Sequence, residues 1–280
     1  MAGGISILEG EQRLSAHLAS WLGAWPPGGP EGLVVVGSER RVEPGWDGEV
    51  RPVAGVATTT GAVLSVPPAA LDPALALGSD LAVVGARLAG VLDLPGWRFA
   101  RGAFRWSHAP TPGDDVGEWL DREDERVPPW LRPFNGDVCV ALVDGEVAAG
   151  VGRKQHDRHG HELAVVTEEA HRGKGLAALL VAQAARRVLD DGAIPTYLHA
   201  PGNVASAATA VRAGFPDEGW QVLGLFGGPP GCAPTRPTLV LRRRRGAARP
   251  GTRRRSRGRR RPPGRRRPIV RSARRGRSRR

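Results

Sequence analysis

"HRGKGLA", residues 171–177, lies between the apolar run "ELAVVT" (162–167) and a long alanine-rich stretch, and its reading decides the fold. Lys174, one of only two lysines in the chain, stands between Gly173 and Gly175. A strand, a glycine-bearing turn and then a helix leave the first N–H groups of that helix without intrahelical partners. Such aligned donors, together with the helix dipole, attract phosphate. Glycines lack Cβ, so phosphate oxygens can reach the main chain, and Arg172 and Lys174 add positive charge. The segment therefore reads as an anion cradle, with His171 covering its turn.

The surroundings support a strand and a helix. Downstream, the pattern predicts a helix from about Lys174 to Leu189, with Leu176, Leu180, Ala184 and Val188 on one face and Gly192 as its stop. "PTYLHA" (195–200) follows as a short strand. A second helix has Asn203 as N-cap and Gly214 as its end, and "GWQVLGLF" (219–226) is the last strand. Upstream, "DVCVALVD" and "EVAAGVGRK" are joined around Asp144 and Gly145, which suit a tight hairpin turn, and "HELAVVT" returns after the turn "QHDRHG". The order is three meandering strands, then helix, strand, helix, strand, an α+β sandwich.

Two nucleotide signatures fit poorly. A Walker loop needs glycine where Glu168 stands and a hydroxyl where Ala177 stands. The dinucleotide fingerprint matches "GKGLAA" formally, but the next strand, "PTYLHA", lacks the acidic residue that would hold a ribose.

A third signature carries further. "RGKGLA" resembles the Q/R-x-x-G-x-G/A motif of the GCN5-related N-acetyltransferase (GNAT) family through Arg172, Gly175 and Ala177. The preceding strand, the following helix, and Asn203, Ser206, Gly214 and Phe215 extend the resemblance over residues 137–226. It implies the GNAT fold, a mixed, mostly antiparallel sheet flanked by helices, and acetyl-CoA as co-substrate. The pyrophosphate would lie on the amides of Gly173, Lys174, Gly175, Leu176, Ala177 and Ala178 beside Arg172. The pantetheine arm would pair with backbone at Val165, Val166 and Thr167, as an added strand would. An N–H near Val166 would polarise the thioester carbonyl, and Asn203 would contact the arm or simply cap its helix.

The implied chemistry is direct attack of a primary amine, of a small molecule or a protein, on the thioester. It needs a base and an acid for the departing thiolate. Glu162 is the favoured base, with His161 the other candidate, since alternation turns one of the two inward. Ser206 is placed near the thiolate by the resemblance. Seven residues after Asn203, where many members carry a tyrosine acid, stands Ala210; the only tyrosine, Tyr197, reads as core. His156, His159 and His161 have ligand-like spacing but read as a solvated hairpin turn, and no metal is expected.

Composition divides the chain. Of its 41 Lys+Arg, 22 lie in residues 227–280 with no acid, giving +22 there; residues 1–226 hold the other 19 against all 28 Asp+Glu, giving −9. The acidic body is expected to comprise an N-terminal α/β region at 1–110 and a GNAT domain at 111–226. The N-terminal ending "LAGVLDLPGWRFARGAFRWS" faintly resembles a degenerate half of the same fold, and Trp25, Trp46, Trp97 and Trp106 read as core or interface anchors. The tail at 227–280 is expected to be disordered, either an adventitious extension or a contact for nucleic acid or another polyanion. Cys139 and Cys232 offer no disulfide framework, and neither a signal segment nor an ~18-residue apolar run is read, so a cytoplasmic monomer or homodimer is expected. The alternative is an inactive acyl-CoA-binding protein whose Arg-rich tail binds nucleic acid.

Overall fold

The computed structural model describes residues 4–27 and 32–227. Its elements are α1 (Ile7–Leu22), β1 (Gly32–Gly37), β2 (Ala54–Ala57), β3 (Gly61–Val66), α2 (Leu71–Leu75), α3 (Leu81–Val91), β4 (Trp97–Trp106) and β5 (Glu118–Leu120). Then come β6 (Val138–Val143), β7 (Glu146–Gln155), β8 (Gly160–Thr167), α4 (Leu176–Asp190), β9 (Ile194–His199), α5 (Val204–Arg212) and β10 (Gln221–Gly227). All ten strands form one sheet in the order β1-β3-β2-β10-β4-β9-β8-β7-β6-β5. Only β1 with β3 and β8 with β9 run parallel. The result is a mixed, mostly antiparallel sheet flanked by helices, an α+β sandwich.

Strand alternation sorts the helices onto two faces. Val34 and Val36 of β1 enter the cluster under α1 with Leu14, Leu18 and Leu22, whereas Leu33 and Val35 enter the cluster of α3 with Val84 and Leu88. In the other half, Leu180, Val181, Ala184 and Val188 of α4 pack on Val151, Leu163 and Tyr197. Within β4, Phe99 joins the α3 cluster, and Arg105, of the same parity, donates to Phe215 O at 3.2 Å beside α5. Thus α3, α4 and α5 share one face and α1 lies on the other. Each fully buried leucine of α1, such as Leu18 or Leu22, contributes about 1.5–3 kcal/mol.

Local signals fix several ends. Ser6 Oγ accepts from Glu9 N at 3.2 Å at the start of α1. Asp80 Oδ1 does the same for Ala82 N and Val83 N at α3. Asp144 and Gly145 turn the β6–β7 hairpin with φ of 53° and 82°.

The connections of the sheet cross the chain's midpoint. β10 lies between β2 and β4, and β4 lies between β10 and β9. Strands from 1–110 and from 111–226 therefore alternate within one sheet. Among the described residues no helix is long and apolar enough to cross a membrane. Cys232 and residues 228–280, which hold nearly all of the Arg-rich stretch, lie outside the described residues.

Candidate functional site

β8 is hydrogen-bonded to β7 from Gln155↔His161 to Ala149↔Thr167, but to β9 only at Gly160, His161 and Glu162. Past Glu162↔Thr196 the two strands part. Glu168 N donates to Ala148 O at 2.9 Å, and Ile194 N donates to His159 O at 2.7 Å. Antiparallel alternation then commits the peptide groups of Glu162, Ala164 and Val166 to β7 and turns those of Leu163, Val165 and Thr167 into the gap. The free N–H expected near Val166 thus belongs to Val165 and Thr167, because Val166 faces Gly150. Thr167 O accepts from Arg172 Nε at 3.1 Å, and Thr167 Oγ1 is buried without a partner.

The chain then turns through Gly173 and Gly175 with φ of 76° and 79°, a left-handed geometry that glycine adopts without strain. An added Cβ at either position meets nothing within 4 Å, so the space before both is open. Gly175 is the N-cap of α4 and brings no side-chain acceptor, and its left-handed backbone places the helix start at Leu176 rather than at Lys174. Among the described residues, the amides of Gly173, Lys174, Gly175, Leu176 and Ala177 have no acceptor. Ala178 departs from expectation: its N–H donates to Gly175 O at 3.0 Å and is not free for an anion. The residues present therefore fit a diphosphate, and the gap beside Val165 and Thr167 fits an amide-bearing arm.

The candidate bases diverge. His161 shares the α4 face with Leu163; its buried Nδ1 has no partner, and burial, aided by Arg153, lowers its pKa to about 4. Glu162 points to the opposite face, where its carboxylate meets Lys154 Nζ and lies 3.1 Å from His156 Nε2. Burial alone would raise the Glu162 pKa, but the Lys154 charge and the His156 hydrogen bond outweigh it and hold the group down at about 2.

Around this pair lies a cluster that no local sequence pattern signals. Trp21 of α1 lies tilted 5.1 Å from His156, and Lys154 Nζ lies 5.5 Å from the Trp46 ring, which itself stacks on Phe134. His17, stacked on Trp21, pairs its Nδ1 with Asp157 Oδ2 at 3.1 Å. Arg40 donates to His156 O at 3.2 Å. The turn expected to be solvated is instead roofed by the N-terminal region, which holds His156 neutral by burial. The three histidines do not converge: His159 accepts from Arg158 Nε at 3.0 Å, and His161 is on the far face. Among the described residues no group of three or more His, Cys, Asp or Glu is placed to hold a metal ion.

At the other side of the gap, Asn203 Oδ1 accepts from Ser206 N at 3.0 Å, so its N-cap role is realised. Ser206 Oγ in turn lies 2.9 Å from the hydroxyl of Tyr197. Tyr197 is 3% exposed and shares its cluster with the fully buried Ala210 and Phe215.

A sheet parted beside a helix that opens on unpaired amides makes this an α+β sandwich with a site whose shape and donors suit an anionic, arm-bearing ligand. Residues 101–215 match the model of the acetyltransferase (GNAT) family, whose chemistry is in general acyl transfer. Similar solved structures include a putative GNAT acetyltransferase from Novosphingobium aromaticivorans, with 22% identity over 47% of this chain and 67% of that one and a TM-score of 0.39. A GCN5-related N-acetyltransferase-like protein from Streptococcus suis shows 19% identity over 58% and 71% of the two chains, with a TM-score of 0.38. No curated protein matches the chain.

Proposed function

We propose that the chain is an N-acetyltransferase that moves an acetyl group from acetyl-CoA to a primary amine by direct attack on the thioester. The observation that carries this reading is the run of five acceptor-free amides, Gly173 to Ala177, opening beside the gap between β8 and β9. The amides and Lys174 would hold the pyrophosphate, and Val165 and Thr167 would pair with the pantetheine arm. The N–H of Val165 or Thr167 would meet the oxyanion that develops on the thioester carbonyl. Ser206 of α5 and its N-cap Asn203 would border the same gap. The amine would approach on the face of Glu162, beneath Trp46 and Trp21, so that both halves of the chain shape the acceptor site. Glu162, ionised and bound to Lys154 and His156, would act there mainly by fixing charge, since a carboxylate held at about 2 accepts a proton weakly at neutral pH.

Titration of the full chain with acetyl-CoA, followed by assay of free CoA against a panel of amines, tests the reading. Gly175→Glu fills the cradle, adds negative charge and forces a side chain into the left-handed region, so affinity for acetyl-CoA should fall by about 100-fold or more, equivalent to roughly 2.7 kcal/mol. Retained affinity would displace the site from this loop.

Two observations favour a second reading, an acyl-CoA-binding protein without turnover: Glu162 is already paired, and Ala210 offers no acid. Binding of acetyl-CoA without CoA release over the whole panel would select it. The Arg-rich stretch would then supply salt-dependent contact with nucleic acid, measured as a steep fall in affinity between low and moderate salt.

A further inference from the structure

Thioester aminolysis leaves a thiolate, and the position that the family pattern fills with an acid holds Ala210. Its small side chain lies in the cluster that also takes the ring of Tyr197, and the ring comes from a different element, β9. Tyr197 is the first residue past the last β8–β9 pair, Glu162↔Thr196, so it stands where the gap begins. Its ring is buried, yet its hydroxyl is not lost in the core, because it reaches Ser206 Oγ at 2.9 Å. Ser206 is half-buried and sits in the first turn of α5, one helical turn before Ala210. Its own N–H is held by Asn203, which fixes the start of the helix that presents the hydroxyl.

We propose that Ser206 and Tyr197 together form the acid of the reaction, with Ser206 touching the sulfur and Tyr197 supplying its proton from behind. The inference rests on the acyl-transfer reading above. The amine nitrogen bonds to the acetyl carbon, and the carbon–sulfur bond breaks with its electron pair on sulfur. Ser206 Oγ gives its proton to that sulfur and takes the phenolic proton of Tyr197. The phenolate recovers a proton from solvent through Ser206, and the surplus proton of the amine leaves to solvent. Burial keeps the phenol protonated at neutral pH, so the donor is loaded before each turnover. Tyr197 thus acts as a positioning and proton-supplying residue through Ser206, while its ring serves the core.

The experiment uses the full chain, acetyl-CoA and hydroxylamine, a small nucleophile already neutral at pH 7 that needs neither an acceptor pocket nor a base. Tyr197→Phe and Ser206→Ala should each bind acetyl-CoA like the unaltered chain and keep its KM. Each should lower kcat by about 100-fold, the usual scale of a general acid. The double variant should be no slower than either single one, because the two hydroxyls work as a unit. A proton inventory in mixed H2O and D2O should curve for the unaltered chain, with two protons in motion, and become linear in both variants. A structural role for the tyrosine would not move that curvature. Full kcat in Tyr197→Phe, independent additive losses, or curvature that survives the substitutions would overturn the proposal. Ser206→Ala leaves the ring in place, so it carries the same test should Tyr197→Phe unfold. Absence of acetyl-CoA binding in the unaltered chain would sink this proposal and the acetyltransferase reading together.

Discussion

The two ends of β8 are built for opposite purposes. At its start, His161 and Glu162 are paired on both sides, Gly160 is paired to β9, and Glu162 is locked to Lys154 and His156. At its finish, Val165 and Thr167 turn peptide groups into an open gap, and the chain runs on into amides that nothing accepts from. The same contrast separates the starts of the longer helices: α1, α3 and α5 are capped by Ser6, Asp80 and Asn203, and α4 is not. Polar groups left open at one place are tolerated because solvent reaches them, and because rigidity is concentrated next door.

The rigid end breaks most readily at Gly160. A Cβ there would stand 2.1 Å from the His17 ring, which lies against the strand and is held by Asp157. Gly160→Val should therefore cost about 4 kcal/mol or more, read as a fall in the denaturant midpoint, since neither backbone nor stacked ring can withdraw. Wild-type stability would mean that α1 does not clamp the strand. Glu162→Gln comes next, with an expected loss of about 2 kcal/mol, because the half-buried Lys154 would keep its charge without its partner. Affinity for acetyl-CoA should change far less than stability, which isothermal titration of the folded variant can check.

Acid should weaken the same end. The pKa values of His156 and His161 are depressed in the folded chain, so both bind protons more readily once unfolded. Their contribution is complete above the unfolded value near 6.5 and is lost as pH falls toward the folded values, about 4 for His161. The slope should be roughly 1.4 kcal/mol per pH unit for each histidine in that window. Glu162 adds to the loss only below its ordinary value of 4.5. Denaturant midpoints at pH 7.5 and 5.5 that coincide would contradict this assignment.

The smallest effect belongs to the open end. Asn203→Ala removes the cap on Ser206 N and should cost about 1 kcal/mol by thermal melting. A much larger loss would show that Asn203 holds more than its own helix.

Much of this was legible in local sequence. The Asp144–Gly145 turn, the glycines of the cradle and the Asn203 cap are each decided within a few residues, and the structure realises them locally. The three-residue β5 left no periodicity to read, and the left-handed Gly175 moved the start of α4 beyond Lys174. The cluster around Glu162 was illegible for a different reason. His17 meets Asp157, and Arg40 meets His156, across more than a hundred residues of chain, so no spacing rule connects them. The pairing of Tyr197 with Ser206 was hidden likewise, since a buried tyrosine looks the same in sequence whether or not its hydroxyl finds a partner.

The placement of β10 has a consequence for how the molecule is made. β2 and β4 each offer an edge that only β10 covers, yet β4 ends at Trp106 and β10 begins at Gln221. During synthesis those edges must wait, bare, until β10 leaves the ribosome, and such edges are templates for wrong partners. A chain stalled short of Gln221 should therefore be a sticky species in need of a chaperone, and closure of the sheet should be a late, slow event governed by long-range pairing.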